Sequence, residues 1–178
     1  MSESVPPFET LYRLYYRRMA AYLAGFSAIP RSERADLAHD ILVHAWLKRD
    51  RYRPRTGGDR SGEQKLNAWV YALARNYIVD RIRERRASAI PFSDGHDADR
   101  AASGRTPEEE TLASGVMQGI RDALSRMSGR DREIAQLVFY ERMSAAETGR
   151  ILGIPGATVR WRLAAIRKKL ARIVEEAS

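Results

Sequence analysis

The sequence predicts an all-α protein: two small helical domains joined by a flexible linker, the C-terminal one a helix-turn-helix. Three observations predict it. Apolar residues recur at spacings of three and four along most of the chain, the period that places them on one face of an α-helix. Two capping boxes, TPEE (106–109) and SAAE (144–147), open helices in the second half. No segment carries the strict apolar–polar alternation of a half-buried strand.

Pro6 and Pro7 precede the first periodic stretch, Phe8 to about Ala24, in which Leu11, Leu14, Tyr15, Met19, Tyr22 and Leu23 share a face. Gly25 and Pro30 bracket a break. Ser32 is placed to cap a second helix, Glu33 to about Lys48. The next residues, RDRYRPRTGGDRSGEQK (49–65), hold paired glycines, a proline and no periodicity, so they read as a loop. A third helix follows from about Leu66 to Arg86, with Leu66, Trp69, Val70, Leu73 and Tyr77 as its stripe. Residues 87–105, ASAIPFSDGHDADRAASGR, are small, polar and acidic, with only Ile90 and Phe92 to bury; that composition does not offset the entropy of ordering. They form the linker between domains 1–86 and 106–178.

In the second half, Thr106-Pro107-Glu108-Glu109 opens a helix to about Arg126, with proline at the first helical position. Ser128 caps the next, to about Glu141. Ser144 and Glu147 open a short helix ending at Leu152, where Gly153 is the stop. The last helix runs from about Ala157 to Glu176. A short helix, a glycine-containing turn and a longer helix make a helix-turn-helix. The close crossing needs a small residue, and Gly149 stands where one is wanted.

The chain has no cysteine, which excludes disulfides, thiolate metal sites and cysteine nucleophiles. The start lacks the basic-then-apolar pattern of a signal peptide, and no apolar run nears the roughly 20 residues needed to span a bilayer. The expectation is a cytoplasmic protein with no membrane insertion of its own. The 31 Lys and Arg against 23 Asp and Glu give a net charge of +8, which favours a polyanionic partner.

At 100° per residue the last helix turns Val159, Leu163, Ile166, Leu170 and Ile173 to the core. Ala157, Trp161, Ala164, Ala165, Lys168 and Arg172 face away. Arg160 and Arg167 lie on one flank, Arg162 and Lys169 on the other. Such a face suits the major groove, where arginines reach bases or phosphates and an apolar group meets a thymine methyl. The plainer alternative packs Trp161 on a neighbouring domain. The third helix ends in Arg81, Arg83, Arg85 and Arg86, and the loop before it adds Arg51, Arg53, Arg55, Arg60 and Lys65. With Trp69, Tyr71 and Tyr77 nearby, this is the chemistry of single-strand binding; for Trp69 and Tyr77 the pattern alone favours core over platform. On the second helix Glu33, Asp36 and Asp40 form an acidic stripe, either a solvated face or a docking face for a basic protein. Its remaining positions are apolar nearly all round, as in a helix buried on several sides. Asp36 and Asp40 gather no further acid or histidine, and His39, His44 and His96 lack a metal-ligand pattern. No catalytic residue, metal or cofactor is implied.

Three segments then carry a resemblance. DLAHDILVHAW (36–46) resembles the signature of bacterial RNA polymerase sigma factors. NAWVYALARNYIVDRIRERR (67–86) looks like their promoter-melting segment, and SAAETGRILGIPGATVRWRL (144–163) their C-terminal helix-turn-helix. The two-domain plan is similar to the extracytoplasmic-function group. The resemblance implies a factor that binds core RNA polymerase, through the β′ clamp helices and the β flap, and directs it to promoter DNA. Asp36, Asp40, Ile41 and Trp46 would meet polymerase. Arg53, Arg55, Lys65, Asn67, Trp69, Asn76, Asp80, Arg81 and Arg83 would read or hold the minus-ten element. Thr158, Arg160, Trp161, Arg162, Ala164, Arg167 and Lys168 would meet the minus-thirty-five element. An anti-sigma factor is the further partner implied, and acidic Asp94, Asp97 and Asp99 would suit the RNA exit channel.

The chain departs from the family pattern at His39-Asp40, usually a glutamine–acid pair. It departs again at Trp161, usually a small serine, and at Ala164 and Ala165, usually basic or aromatic. The loop 50–65 is long and glycine-rich. Competing readings are a helix-turn-helix regulator, a sigma-like polymerase-binding protein without promoter specificity, and a nuclease.

Overall fold

The computed structural model describes residues 4–54, 61–88, 119–120 and 122–176. Helix α1 spans Phe8–Leu23, α2 Arg34–Leu47, α3 Gly62–Ser88, α4 Gly129–Ala135, α5 Ala145–Leu152 and α6 Gly156–Glu176. No strand occurs among the described residues, and none of their helices is long and apolar enough to cross a membrane. Of the expected linker 87–105, Ala87 and Ser88 instead continue α3; 89–105, and the TPEE cap with most of its helix on 106–118, lie outside the described residues.

The first half is a three-helix unit in which α1 and α3 pack on α2. Its core holds Leu11, Tyr15, Met19 and Leu23 of α1, Leu37, Ile41 and Leu42 of α2, and Val70, Ala74 and Ile78 of α3. Two expectations shift. Leu14 is 50 % exposed, because the buried face of α1 runs through Leu11, Tyr15, Met19 and Tyr22. On α3 the buried stripe lies a step to one side of the expected one: Tyr71 is fully buried, while Trp69, Leu73 and Tyr77 lie at its edge. Tyr71 sits edge-on to Tyr22, with ring centroids 5.1 Å apart, so it is core and not a surface platform. Burial pushes the phenols of Tyr15, Tyr22 and Tyr71 up, and they remain protonated.

Helix starts follow local chemistry. Ser32 is not a cap; it lies inside a 3₁₀ turn, Arg31–Glu33, that leads into α2. Helix α3 begins earlier than the periodicity predicts. Ser61 and Gln64 form a reciprocal cap, with Gln64 N donating to Ser61 Oγ and Ser61 N to Gln64 Oε1, both at 3.3 Å. In the second half Asp131 N donates to Ser128 Oγ at 3.2 Å. Ser144 and Glu147 close the expected capping box, with Ser144 N donating to Glu147 Oε2 at 2.9 Å. After α4, Gln136–Tyr140 winds as a π-helical turn, and Arg142 adopts a left-handed φ of 56°.

The halves meet along α1, α3 and the second half. Arg18 Nε donates to Glu141 Oε2 at 3.0 Å. Tyr22 Oη and Arg75 Nε donate to Glu133 Oε1 at 3.2 and 3.3 Å. Burial tends to lower the Arg18 pKa, but the bond to Glu141 and its charge outweigh this and raise it. Helix α5 packs on α3.

The α5–α6 crossing needs glycine. A Cβ on Gly149 would stand 2.6 Å from the Ile154 carbonyl oxygen and 3.1 Å from Gly156 N, both backbone atoms that cannot swing away. Gly153 takes the left-handed conformation, φ 67°, that ends α5. Gly149→Ala is expected to destabilise the protein by about 1–3 kcal/mol, the range for overpacking, measured by urea unfolding. Ser144→Ala, which removes only a cap, should cost about 1 kcal/mol in the same assay.

Candidate functional site

Helix α6 is seated by Val159, Leu163 and Ile166, all buried. Its opposite face carries Ala157, Trp161, Ala164, Ala165 and Lys168, all exposed, with Trp161 at 71 %. Trp161 therefore faces outward, and Arg160 and Arg167 are exposed beside it; Arg167 leans over the Phe139 ring at 5.9 Å. Thr158 is half-buried. Arg162 departs from the expected base-facing set. It lies on the flank nearest α4, where Nη1 donates to Asp131 Oδ1 at 2.9 Å, so its guanidinium braces the scaffold.

The residues expected at the minus-ten element divide into three places. Asn76, Asp80 and Arg81 line an open cleft of about 410 Å³ between α2 and α3, together with His44, Lys48, Leu73, Tyr77 and Glu84. Asp80 pairs with Arg83 at 3.6 Å and Arg81 with Glu84 at 3.7 Å, both on the exposed surface, where such pairs are readily exchanged. His44 and Lys48 escaped the sequence reading. They stand four residues apart at the end of α2, which places them on one face, but nothing local relates that face to α3. The His44 ring lies 5.0 Å from Tyr77; burial, then the charge of Lys48, lowers its pKa.

A second cleft, about 220 Å³, gathers Arg53, Lys65 and Trp69 with Tyr52, which sequence reading also missed. The Tyr52 and Trp69 rings are 5.2 Å apart, an aromatic surface flanked by cations. Asn67 belongs to neither cleft. It is buried, and its Oδ1 accepts a hydrogen bond from the Tyr15 hydroxyl, so the carboxamide joins α3 to α1 in the core. Arg55 lies outside the described residues.

On α2, Asp36 and Asp40 are exposed and line a groove of about 210 Å³ with Glu33, Arg81 and Arg85. Glu33 is bonded to Arg85 at the end of α3, which leaves Asp36 and Asp40 as the open part of the stripe. Ile41 is 1 % exposed and supports the helix from within. Trp46 is half-buried, beneath Arg49 at 4.3 Å and against Phe8 at 6.1 Å. Leu47, 68 % exposed beside it, supplies an apolar contact point that periodicity alone assigned to a buried helix.

Two family models match: Sigma-70 region 2 over residues 11–88 and Sigma-70, region 4 over residues 123–172. The chain is 30 % identical over 156 residues to the ECF RNA polymerase sigma factor SigL of Mycobacterium tuberculosis, covering 86 % of this chain and 82 % of SigL. It is 25 % identical over 167 residues to the RNA polymerase sigma factor SigZ of Bacillus subtilis, covering 94 % and 86 %. Among solved structures, the fold is similar to the sigma factor RpoE in complex with the anti-sigma factor NepR from Bartonella quintana. The TM-score is 0.63 at 22 % identity, over 96 % of this chain and 98 % of that one. CnrH in complex with the cytosolic domain of CnrY gives 0.57 at 23 % identity, over 96 % and 89 %.

The different settings of Asn67 and Trp161 separate structural from surface roles. Asn67→Ala leaves the Tyr15 hydroxyl unpaired in the core and should cost about 1–3 kcal/mol of stability. Trp161→Ala should change stability by no more than about 0.5 kcal/mol. Thermal unfolding of both variants checks the contrast, and a large loss from Trp161→Ala would place that ring against protein after all.

Proposed function

The chain belongs to the sigma-70 family, in its extracytoplasmic-function group, and directs promoter-specific transcription initiation; we propose that its faces divide that work as follows. The family's members are initiation factors and not enzymes. The observation that carries the assignment of faces is the recognition helix α6, held by one apolar side with its basic, Trp161-bearing side exposed.

In this reading α6 enters the major groove of the minus-thirty-five element. Arg160, Arg167 and Lys168 hold phosphates or base edges, Trp161 makes the apolar contact, and Arg162 fixes the helix angle through Asp131. Ala164 and Ala165 form no bidentate bonds to bases, so recognition leans on phosphates and on Trp161. The Tyr52–Trp69 surface with Arg53 and Lys65, and the cleft holding Asn76, Asp80 and Arg81, receive the melted minus-ten strand. Unstacking a base costs a few kcal/mol, which aromatic and cationic contacts offset. Asp36, Asp40 and Trp46 face core polymerase, with β′ as the basic partner of the acid pair and the β flap as the contact of the second half. An anti-sigma factor is a further proposed partner; one sigma factor of similar fold is solved in complex with such a protein.

The first experiment is transcription in vitro with sigma-free core polymerase and fragmented genomic DNA. Discrete starts that share two upstream motifs are expected. Stable binding to core without specific starts would favour the sigma-like protein lacking promoter specificity. Two substitutions probe the faces. Trp161→Ala should weaken binding of the holoenzyme to its promoter by about tenfold, the loss of roughly 1.5 kcal/mol of apolar burial. Asp36→Lys with Asp40→Lys should slow association with core and flatten its salt dependence, at unchanged fold stability; surface plasmon resonance at several ionic strengths reads both.

A further inference from the structure

Position 44 brings a titratable ring into a cleft assigned above to DNA. The cleft of about 410 Å³ has two walls. Leu73, Asn76, Tyr77, Asp80, Arg81 and Glu84 of α3 form one; His44 of α2 and Lys48, just beyond the end of α2, form the other. The His44 ring is half-buried and lies against Tyr77, with ring centroids 5.0 Å apart, which keeps it at the wall.

The permanent charges of the lining cancel. Lys48 and Arg81 stand against Asp80 and Glu84. Arg81 lies 3.7 Å from Glu84, and Asp80 lies 3.6 Å from Arg83. With the Tyr77 phenol, these lining residues are the charged and titratable groups that face His44; Asp40, one turn earlier on α2, lines the other groove. His44 therefore decides the sign. The lining is neutral around a neutral imidazole and carries a net positive charge around a protonated one. Burial, then the charge of Lys48, lowers the His44 pKa, which keeps the ring uncharged in the empty cleft at neutral pH. A phosphate set beside it acts the other way, because a nearby anion favours the charged form.

We propose that His44 makes strand capture proton-linked: as the cleft receives a strand phosphate, the imidazole takes up one proton from solvent and donates a hydrogen bond to that phosphate beside Lys48. The proposal rests on the minus-ten reading of this cleft and adds the regulation of that site. Affinity for the melted strand then rises as pH falls through the range in which histidine titrates.

The test uses the holoenzyme and a labelled non-template strand from a promoter found by the transcription experiment. Fluorescence anisotropy follows binding from pH about 8 to about 5.5, the span in which histidine changes charge. The parent should bind about tenfold tighter at the acid end, the low end for a hydrogen bond to a charged group. Its slope of log affinity against log salt should steepen by about 0.7 there, the value for one further phosphate contact on a single strand. His44→Gln should show neither change and should keep the weaker, alkaline affinity throughout. His44→Lys, charged at every pH tested, should bind tightly throughout. His39→Gln with His96→Gln removes the other two histidines and should keep the parent profile. Because the fold holds the ring neutral, its contribution to stability falls as pH drops below the ordinary histidine value, so tighter binding in acid cannot come from a firmer fold.

Parallel pH profiles for the parent and His44→Gln overturn the proposal, as does a gain in acid with an unchanged salt slope. Asn76→Ala tests the assignment of the cleft separately, at pH about 8, where the His44 ring is uncharged. Weaker strand binding in that variant, beside a flat parent profile, leaves the minus-ten reading standing and rejects the proton linkage. Unchanged strand binding in that variant rejects both.

Discussion

Two carboxylates govern how this chain comes together. A buried carboxylate is costly unless cations and hydrogen-bond donors meet it. Glu133 finds Tyr22 and Arg75, and Glu141 finds Arg18, all from the other half of the chain. Glu141 follows the π-helical turn Gln136–Tyr140. Its N–H bonds five residues back, to the Gln136 carbonyl at 3.1 Å, and Arg142 next to it takes a left-handed φ of 56°. Glu133 also lies 3.9 Å from Arg130, whose guanidinium donates to the Leu152 carbonyl at the end of α5. The contact between halves is thereby linked to the helix that supports α6.

The proposed reading surfaces lie on faces that the cores do not use. Helix α6 is anchored by Val159, Leu163 and Ile166 and its close crossing with α5 by Gly149, so the exposed side is free to carry a tryptophan and alanines without cost to the fold. Helix α2 is anchored by Leu37, Ala38, Ile41, Leu42 and Ala45, which leaves Asp36 and Asp40 in solvent. Substitution at Trp161, Ala164 or Ala165 would therefore leave both family regions intact. Under the proposed reading, such substitutions would alter what is recognised and leave the scaffold alone.

The candidate site was legible in the sequence to an uneven degree. The outward set of α6 was read well, because a 100° step and one clear apolar stripe fix every other position on the helix. Arg162 alone went astray, since its partner Asp131 lies on another helix. The first half was harder. Asn67 sits in a motif that resembles a DNA-reading segment, yet its side chain is inside the core, bonded to Tyr15. Tyr71 and Trp69 are two residues apart, and only the arrival of α1 decides that the first is core and the second an edge residue.

By itself, the sequence determined the course of the described helices to within a few residues, the caps at Ser128 and Ser144, the stop at Gly153 and the small residue at Gly149. Each depends on residues within a few turns of one another, where periodicity, hydrogen-bonding side chains and backbone conformation act locally. The Ser61–Gln64 cap was equally local and was hidden only by its glycine-rich setting. Tertiary structure decided which aromatics are buried, that His44 and Lys48 join Asn76 and Asp80 in one cleft, and that α5 lies over Tyr52 and Trp69. Those outcomes depend on segments tens of residues apart meeting at particular angles. A buried charge takes the partner that packing delivers, and nothing in the neighbourhood of Glu133 or Glu141 along the chain names Arg75 or Arg18.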